Sequence, residues 1–250
     1  MPPRVLDEQS FLAREQLIID AALIVIEREG IENLTIDKVV DLVPFSKGTV
    51  YKHFSGKEDV ILAINNQAIV ILCDLFERVA KFDACPRERM LLLNFAYLIY
   101  SILHPVLFTV DLCARSPSVI EKCGQDRIDK QDAMQTHLMF TIGSIIMEGI
   151  EQGYLVLPES IDVQQICFSN WSMGYGIISL LSKHVETCEG RAGLSVELEL
   201  FNNNNLLLDG LGWLPLSKDR DYKSAMFKDF DLVFSEELKA LKALGRDLRF

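Results

Sequence analysis

The chain has 250 residues, 49% of them apolar, and a formal net charge of −11. That length suits one small and one larger domain, and the apolar share is ample for two cores. So acidic a balance excludes a general DNA-coating protein, and the opening MPPRVLDEQS lacks the apolar stretch of a secretory signal, so a cytoplasmic location is expected.

Ser10 is placed to cap a first helix reaching Glu29, with Leu17, Ala21, Ile24 and Val25 as its apolar stripe. Gly30 suits the position that ends it. Thr35 caps a second helix, with Asp37 in the first turn and Ile36, Val39, Val40 and Val43 buried. Pro44 stops that helix.

Ser46 caps a third helix from Lys47 to Phe54, with Val50 and Phe54 inward and Lys47, Thr49, Lys52 and His53 outward. Gly48 costs this helix roughly 1 kcal/mol of propensity, which makes sense if something large approaches the backbone there. Ser55-Gly56-Lys57-Glu58 fits a capping box opening a fourth helix. Helix, tight turn and helix form the layout of a helix-turn-helix, whose second helix lies in the major groove. Lys47 to Lys57 contains three lysines, one histidine, one tyrosine and no acid, which suits phosphate contacts.

Residues from about Gln16 to Asp59 resemble the TetR family of dimeric bacterial transcriptional regulators. The resemblance is carried by Ala21, Ala22, Gly30, Thr35-Ile36, the run from Ser46 to Phe54, and Lys57-Glu58. It implies DNA contacts from Thr35, Ser46, Lys47, Gly48, Thr49, Tyr51, Lys52, His53 and Lys57. Lys47, Thr49 and Lys52 would address the groove; Thr35, Tyr51, His53 and Lys57 would hold phosphates. Family members usually carry Gly-Val in the turn where this chain has Pro44-Phe45. Either the turn differs or the second helix ends a residue earlier, and Phe45 replaces valine as the apolar plug.

Helix signals continue to the C-terminus. A fourth helix runs from Lys57 to about Lys81, with Ile61, Ile64, Ala68, Ile71 and Leu75 buried. Further helices span about Arg87–Leu103, Pro105–Arg115, Asp126–Gln152, Asp162–Val185, Val196–Leu211 and Tyr222–Leu244. Met90 to Val110 carries no charge, but Asn94, Ser101, His104 and Pro105 interrupt it and no basic cluster flanks it. A central core helix is expected there rather than a membrane span.

The expected fold is therefore all-α: a three-helix helix-turn-helix domain over 1–56 and a larger helical ligand-binding and dimerisation domain over 57–250, with an extra C-terminal helix over about 219–245. The resemblance implies a homodimer formed by the last two core helices, about 162–185 and 196–211, and an effector held in the larger domain. Small residues between Ser169 and Ser179 suit close helix approach, and Asn204 falls on the apolar stripe of its helix, as a polar contact across the dimer or a rim residue. Candidate pocket residues are Phe95, Tyr100, His104, Phe108, His137, Phe140, Met147, Trp171 and Tyr175. No charged side chain is placed for an ionic ligand, which favours a neutral or lipophilic effector.

The six cysteines form no C-x-x-C pair and no metal-ligand spacing with histidine, so reduced thiols are expected. No nucleophile elbow or phosphate loop is present, so neither an enzyme nor a cofactor is expected. The leading reading is a repressor that binds a palindromic operator and is released by a small effector. The alternative is a DNA-anchored, partner-binding interaction protein without an effector.

Overall fold

A computed structural model describes residues 7–181 and 189–250. Among these the chain is all-helical: α1 (Glu8–Glu29), α2 (Ile36–Val40), α3 (Lys47–Val50), α4 (Lys57–Lys81), α5 (Pro86–Leu103), α6 (Pro105–Ala114), α7 (Pro117–Ile120), α8 (Gln125–Glu151), α9 (Val163–Leu181), α10 (Val196–Gly210), α11 (Tyr222–Val233) and α12 (Ser235–Ala243). They group into two compact units, one of Met1–Val70 with His104–Met134, the other of Ile71–Leu103 with Gln135–Phe250. The expected boundary at residue 56 thus falls inside the first unit, and α4 and α8 contribute to both.

The first unit is built by caps and one apolar cluster. Asp7, not Ser10, caps α1: its carboxylate accepts the Ser10 N–H at 2.8 Å, three residues on. The stripe of α1 is also rotated from the expected one. Ile18, Ala22 and Ile26 are buried beside Ala21 and Val25, whereas Leu17 and Ile24 are exposed. Gly30 ends the helix at φ +89°, a conformation open to glycine. Val39, Val50, Phe54 and Ile64 close the same cluster with Val110 and Ala114 of α6.

The second unit is centred on α5, every residue of which from Pro86 to Ser101 is buried. The uncharged run over Met90–Val110 breaks at His104, between α5 and α6. Among the described residues α4 alone is by itself long and apolar enough to cross a bilayer, and 67% of that window is buried. Helices α9 and α10 pack on one another and on α5, as do α11 and α12.

Three polar or aromatic groups organise the second unit. Asn94 of α5 donates to Asn170 of α9 at 2.8 Å and to Asn204 of α10 at 2.9 Å. Asn204 is fully buried there, so its position on the stripe is explained by a contact within the chain. The fully buried Arg87 meets Asp209 at 2.6 Å, Asn205 at 3.0 Å and the Trp213 carbonyl. The expected final helix is two helices, broken at Phe234 (φ −120°, ψ 29°). Phe234 is fully buried there and edge-on to Phe230.

The remaining differences are local. A short α7 begins at Pro117, in the stretch between the expected helices ending near Arg115 and beginning near Asp126. The end of the helix expected to reach Val185, and Cys188, lie outside the described residues. Cys73, Cys85, Cys113, Cys123 and Cys167 are free thiols, and burial pushes Cys123 and Cys167 up to about 11, which favours the protonated form.

Candidate nucleic-acid interface

Two serine/threonine caps set up the interface. The Thr35 hydroxyl accepts the Lys38 N–H at 3.3 Å and opens α2. The Ser46 hydroxyl accepts the Thr49 N–H at 3.3 Å and lies 3.1 Å from the Thr49 hydroxyl, opening α3. Between them α2 ends at Val40, four residues before Pro44, so the helix ends early instead of meeting the proline ring. Phe45 is partly buried against the core, with the Arg14 guanidinium 5.5 Å above its ring.

The third helix is shorter than the expected Lys47–Phe54. Lys52 and His53 donate to the carbonyls three residues back, a tighter turn that carries the chain beyond Val50. Val50 and Phe54 point inward, as expected, while Ser46, Lys47, Gly48, Tyr51 and Lys52 are exposed and Thr49 and Lys57 are half-buried. A Cβ at Gly48 would meet only the Ser46 hydroxyl oxygen at 3.9 Å, so nothing within the fold requires glycine there.

His53 does not face outward. Its ring stacks on Phe11 at 4.0 Å, and its Nδ1 lies 3.9 Å from Glu15 of α1. Burial holds the imidazole below its usual range, opposed in part by the Glu15 carboxylate. The i+3 spacing from Val50 turns this side chain toward α1, and the apolar ring of Phe11 completes its shelter.

Electrostatics near the interface are also less simple than the acid-free run. Lys47 is paired with Asp37 of α2 at 2.5 Å, which raises its pKa through the hydrogen bond and the charge. The Ser55 N–H donates to Asp59 at 2.9 Å, so Asp59 takes the capping role expected of Glu58, and Glu58 pairs with Lys122 at 2.7 Å. The pairing with Lys122 holds the Glu58 carboxyl below its usual range.

One residue of the site escaped sequence reasoning. Arg127 of α8 meets Glu15 and Asp59 at 3.0 Å each and lies 4.5 Å over the Phe54 ring. No periodicity in the sequence marks a residue so distant from the helix-turn-helix.

The nine candidate pocket residues are dispersed. His104 and Phe108 belong to the first unit, the other seven to the second. Phe95 and Tyr100 are fully buried, and Phe95 packs on Phe230 and Phe250. Phe140 and Met147 are exposed, and His137 is paired with Glu77 at 2.8 Å. Trp171 and Tyr175 lie 5.7 Å apart along α9. Among the described residues no group of three or more histidine, cysteine or acidic side chains could hold a metal ion.

Residues 18–64 match the family described as bacterial regulatory proteins, tetR family. An uncharacterized HTH-type transcriptional regulator, TtgW, from Pseudomonas putida is 41% identical over 49 residues. That match spans 20% of this chain and 37% of the relative's length. The TetR family transcriptional regulator PfmR from Thermus thermophilus has a similar fold, with a TM-score of 0.57 at 20% identity, over 78% of this chain and 98% of that one. A putative transcriptional regulator from Saccharomonospora viridis, solved in complex with choline, has a TM-score of 0.57 at 20% identity, over 79% of this chain and 96% of that one.

Proposed function

We propose that this chain, which carries the helix-turn-helix of the TetR family of bacterial regulatory proteins and the all-helical fold of solved TetR regulators, is a ligand-responsive repressor. It binds a palindromic operator as a homodimer and is released by a small effector. The observation that carries this reading is the exposed run of Ser46, Lys47, Gly48, Tyr51 and Lys52, held outward because Val50, His53 and Phe54 are buried.

Residues 1–56 are the DNA-binding part and 57–250 the ligand-binding and dimerisation part. Lys47, Thr49 and Lys52 address the groove, and Thr35, Tyr51 and Lys57 hold phosphates. Exposed apolar residues on α9 (Phe168, Leu180) and α10 (Leu198, Leu206) support pairing of these helices with a second copy. The choline complex of the Saccharomonospora viridis protein supports the capacity of this fold for small molecules. The effector of this chain is neutral or lipophilic, and the protein acts in the cytoplasm without a catalytic step.

The test is to incubate the purified protein with fragmented genomic DNA and sequence what it retains. A two-fold symmetric motif is expected near a few promoters. Lys57→Ala should weaken binding to all sequences and flatten the plot of log affinity against log salt by about one unit. No enrichment at moderate salt, or an unchanged slope in the variant, would remove the reading or the phosphate assignment respectively.

A further inference from the structure

Asp37 and Lys47 form an ion pair between the two helices of the interface, with 2.5 Å from Oδ1 to Nζ. Asp37 lies in the first turn of α2, and Lys47 is the first residue of α3. Among the described residues Lys47 is the one lysine of the Lys47–Lys57 run with an acidic partner on the facing helix. One of the three cations offered to DNA therefore already has a counter-anion.

The fold has little use for this pair. The Lys47 and Asp37 side chains are 53% and 71% exposed, and an ion pair so open to water and salt contributes little to stability. Helix α2 has five residues, so the dipole that an acid in its first turn would serve is short.

For DNA binding the pair has a consequence. When Lys47 turns to a phosphate or a base edge, its ammonium leaves Asp37, and a bare carboxylate is left close to a polyanion. That carboxylate draws in a cation, which offsets the counterion that Lys47 releases from the DNA. The penalty is the same for every sequence, so a site that supplies further base contacts is needed to overcome it.

We propose that Asp37 competes with DNA for Lys47, holding that ammonium back from random sequence and setting the affinity that an operator must exceed. The inference rests on the DNA-binding reading above and names a residue that tunes the same interface.

The test is the affinity of the full chain for a random-sequence duplex, read by fluorescence anisotropy from about 0.05 to about 0.4 M salt. Asp37→Asn should bind about eightfold tighter at about 0.1 M salt, with a log–log salt slope steeper by about 0.9, the mark of one further counterion released. Asp37→Ser should do the same, and both variants should melt within a few degrees of wild type. In a Lys47→Ala background Asp37→Asn should change affinity by less than about twofold, because the partner is gone. Asp41→Asn makes the same charge change at the other end of α2 and should give a much smaller gain. Unchanged or weaker binding in the Asp37 variants would overturn the competition. So would an equal gain in the Lys47→Ala background or from Asp41→Asn, because the carboxylate would then act by general repulsion. No binding by any of these proteins would remove the DNA-binding reading itself, whereas binding that is indifferent to Asp37 would remove this role alone.

Discussion

Arg127 of α8 donates through its Nη2 to the main-chain carbonyl of His53, 3.0 Å away, in the turn that follows α3. The same guanidinium holds Glu15 of α1 and Asp59 of α4, so one side chain ties four segments of the first unit. Arg127→Met should therefore lower stability by roughly 2–3 kcal/mol. This is less than for a fully buried pair because Arg127 and Glu15 are each 19% exposed at the side chain. Denaturant melts give the stability, and DNA retention well below the melting temperature gives the second readout. Retention should fall although none of the residues proposed to contact DNA has changed. A variant with wild-type stability and retention would show that the clamp is dispensable.

His53 gives the protein a pH-dependent contribution. Burial keeps its folded-state pKa below the ordinary 6.5, so below that pH the unfolded chain binds more protons than the folded one. Stability from this residue is fully present above about pH 6.5 and is lost as pH falls through that value toward the folded pKa. His53→Phe retains a ring to stack on Phe11 and removes the titration. Its melting temperature should fall less steeply than that of the wild type between about pH 7 and about pH 5. Parallel curves would mean that His53 is not sheltered as described.

Gly48 separates the needs of the fold from those of DNA. A Cβ there meets nothing closer than 3.9 Å, and alanine is the better helix former by about 1 kcal/mol, so Gly48→Ala should melt at or above the wild-type temperature. If the backbone approaches DNA closely at this position, affinity for the retained motif should drop about tenfold, or about 1.4 kcal/mol. A stabilised variant with full affinity would place the close approach elsewhere.

The two C-terminal helices belong to the core of the second unit. Phe230 is 1% exposed and packs on Phe95, and Arg78 of α4 is bound to Glu237 and, at 3.0 Å, to the Val233 carbonyl. Phe230→Ala should cost about 3–5 kcal/mol. Deleting residues 217–250 should lower the melting temperature further or weaken dimerisation. A truncated protein with unchanged melting and unchanged mass by light scattering would contradict this packing.

By itself the sequence determined the elements whose causes are local. The caps Thr35 and Ser46 and the stop at Gly30 each act within three or four residues, and α4 runs from Lys57 to Lys81 as its pattern predicts. The outward run around Lys47 and Lys52 follows from Val50 and Phe54 turning inward. Tertiary structure alone decided which chemistry is hidden. His53 faces α1 because Phe11 and Glu15 come back across the turn after α3, and Arg127 reaches it from 74 positions away. Asn204 meets Asn94 across 110 positions, and Arg87 meets Asp209 across 122. Hydrogen bonds and ion pairs of that separation leave no periodicity in the sequence, because they depend on where two distant helices come together and not on the residues beside each partner.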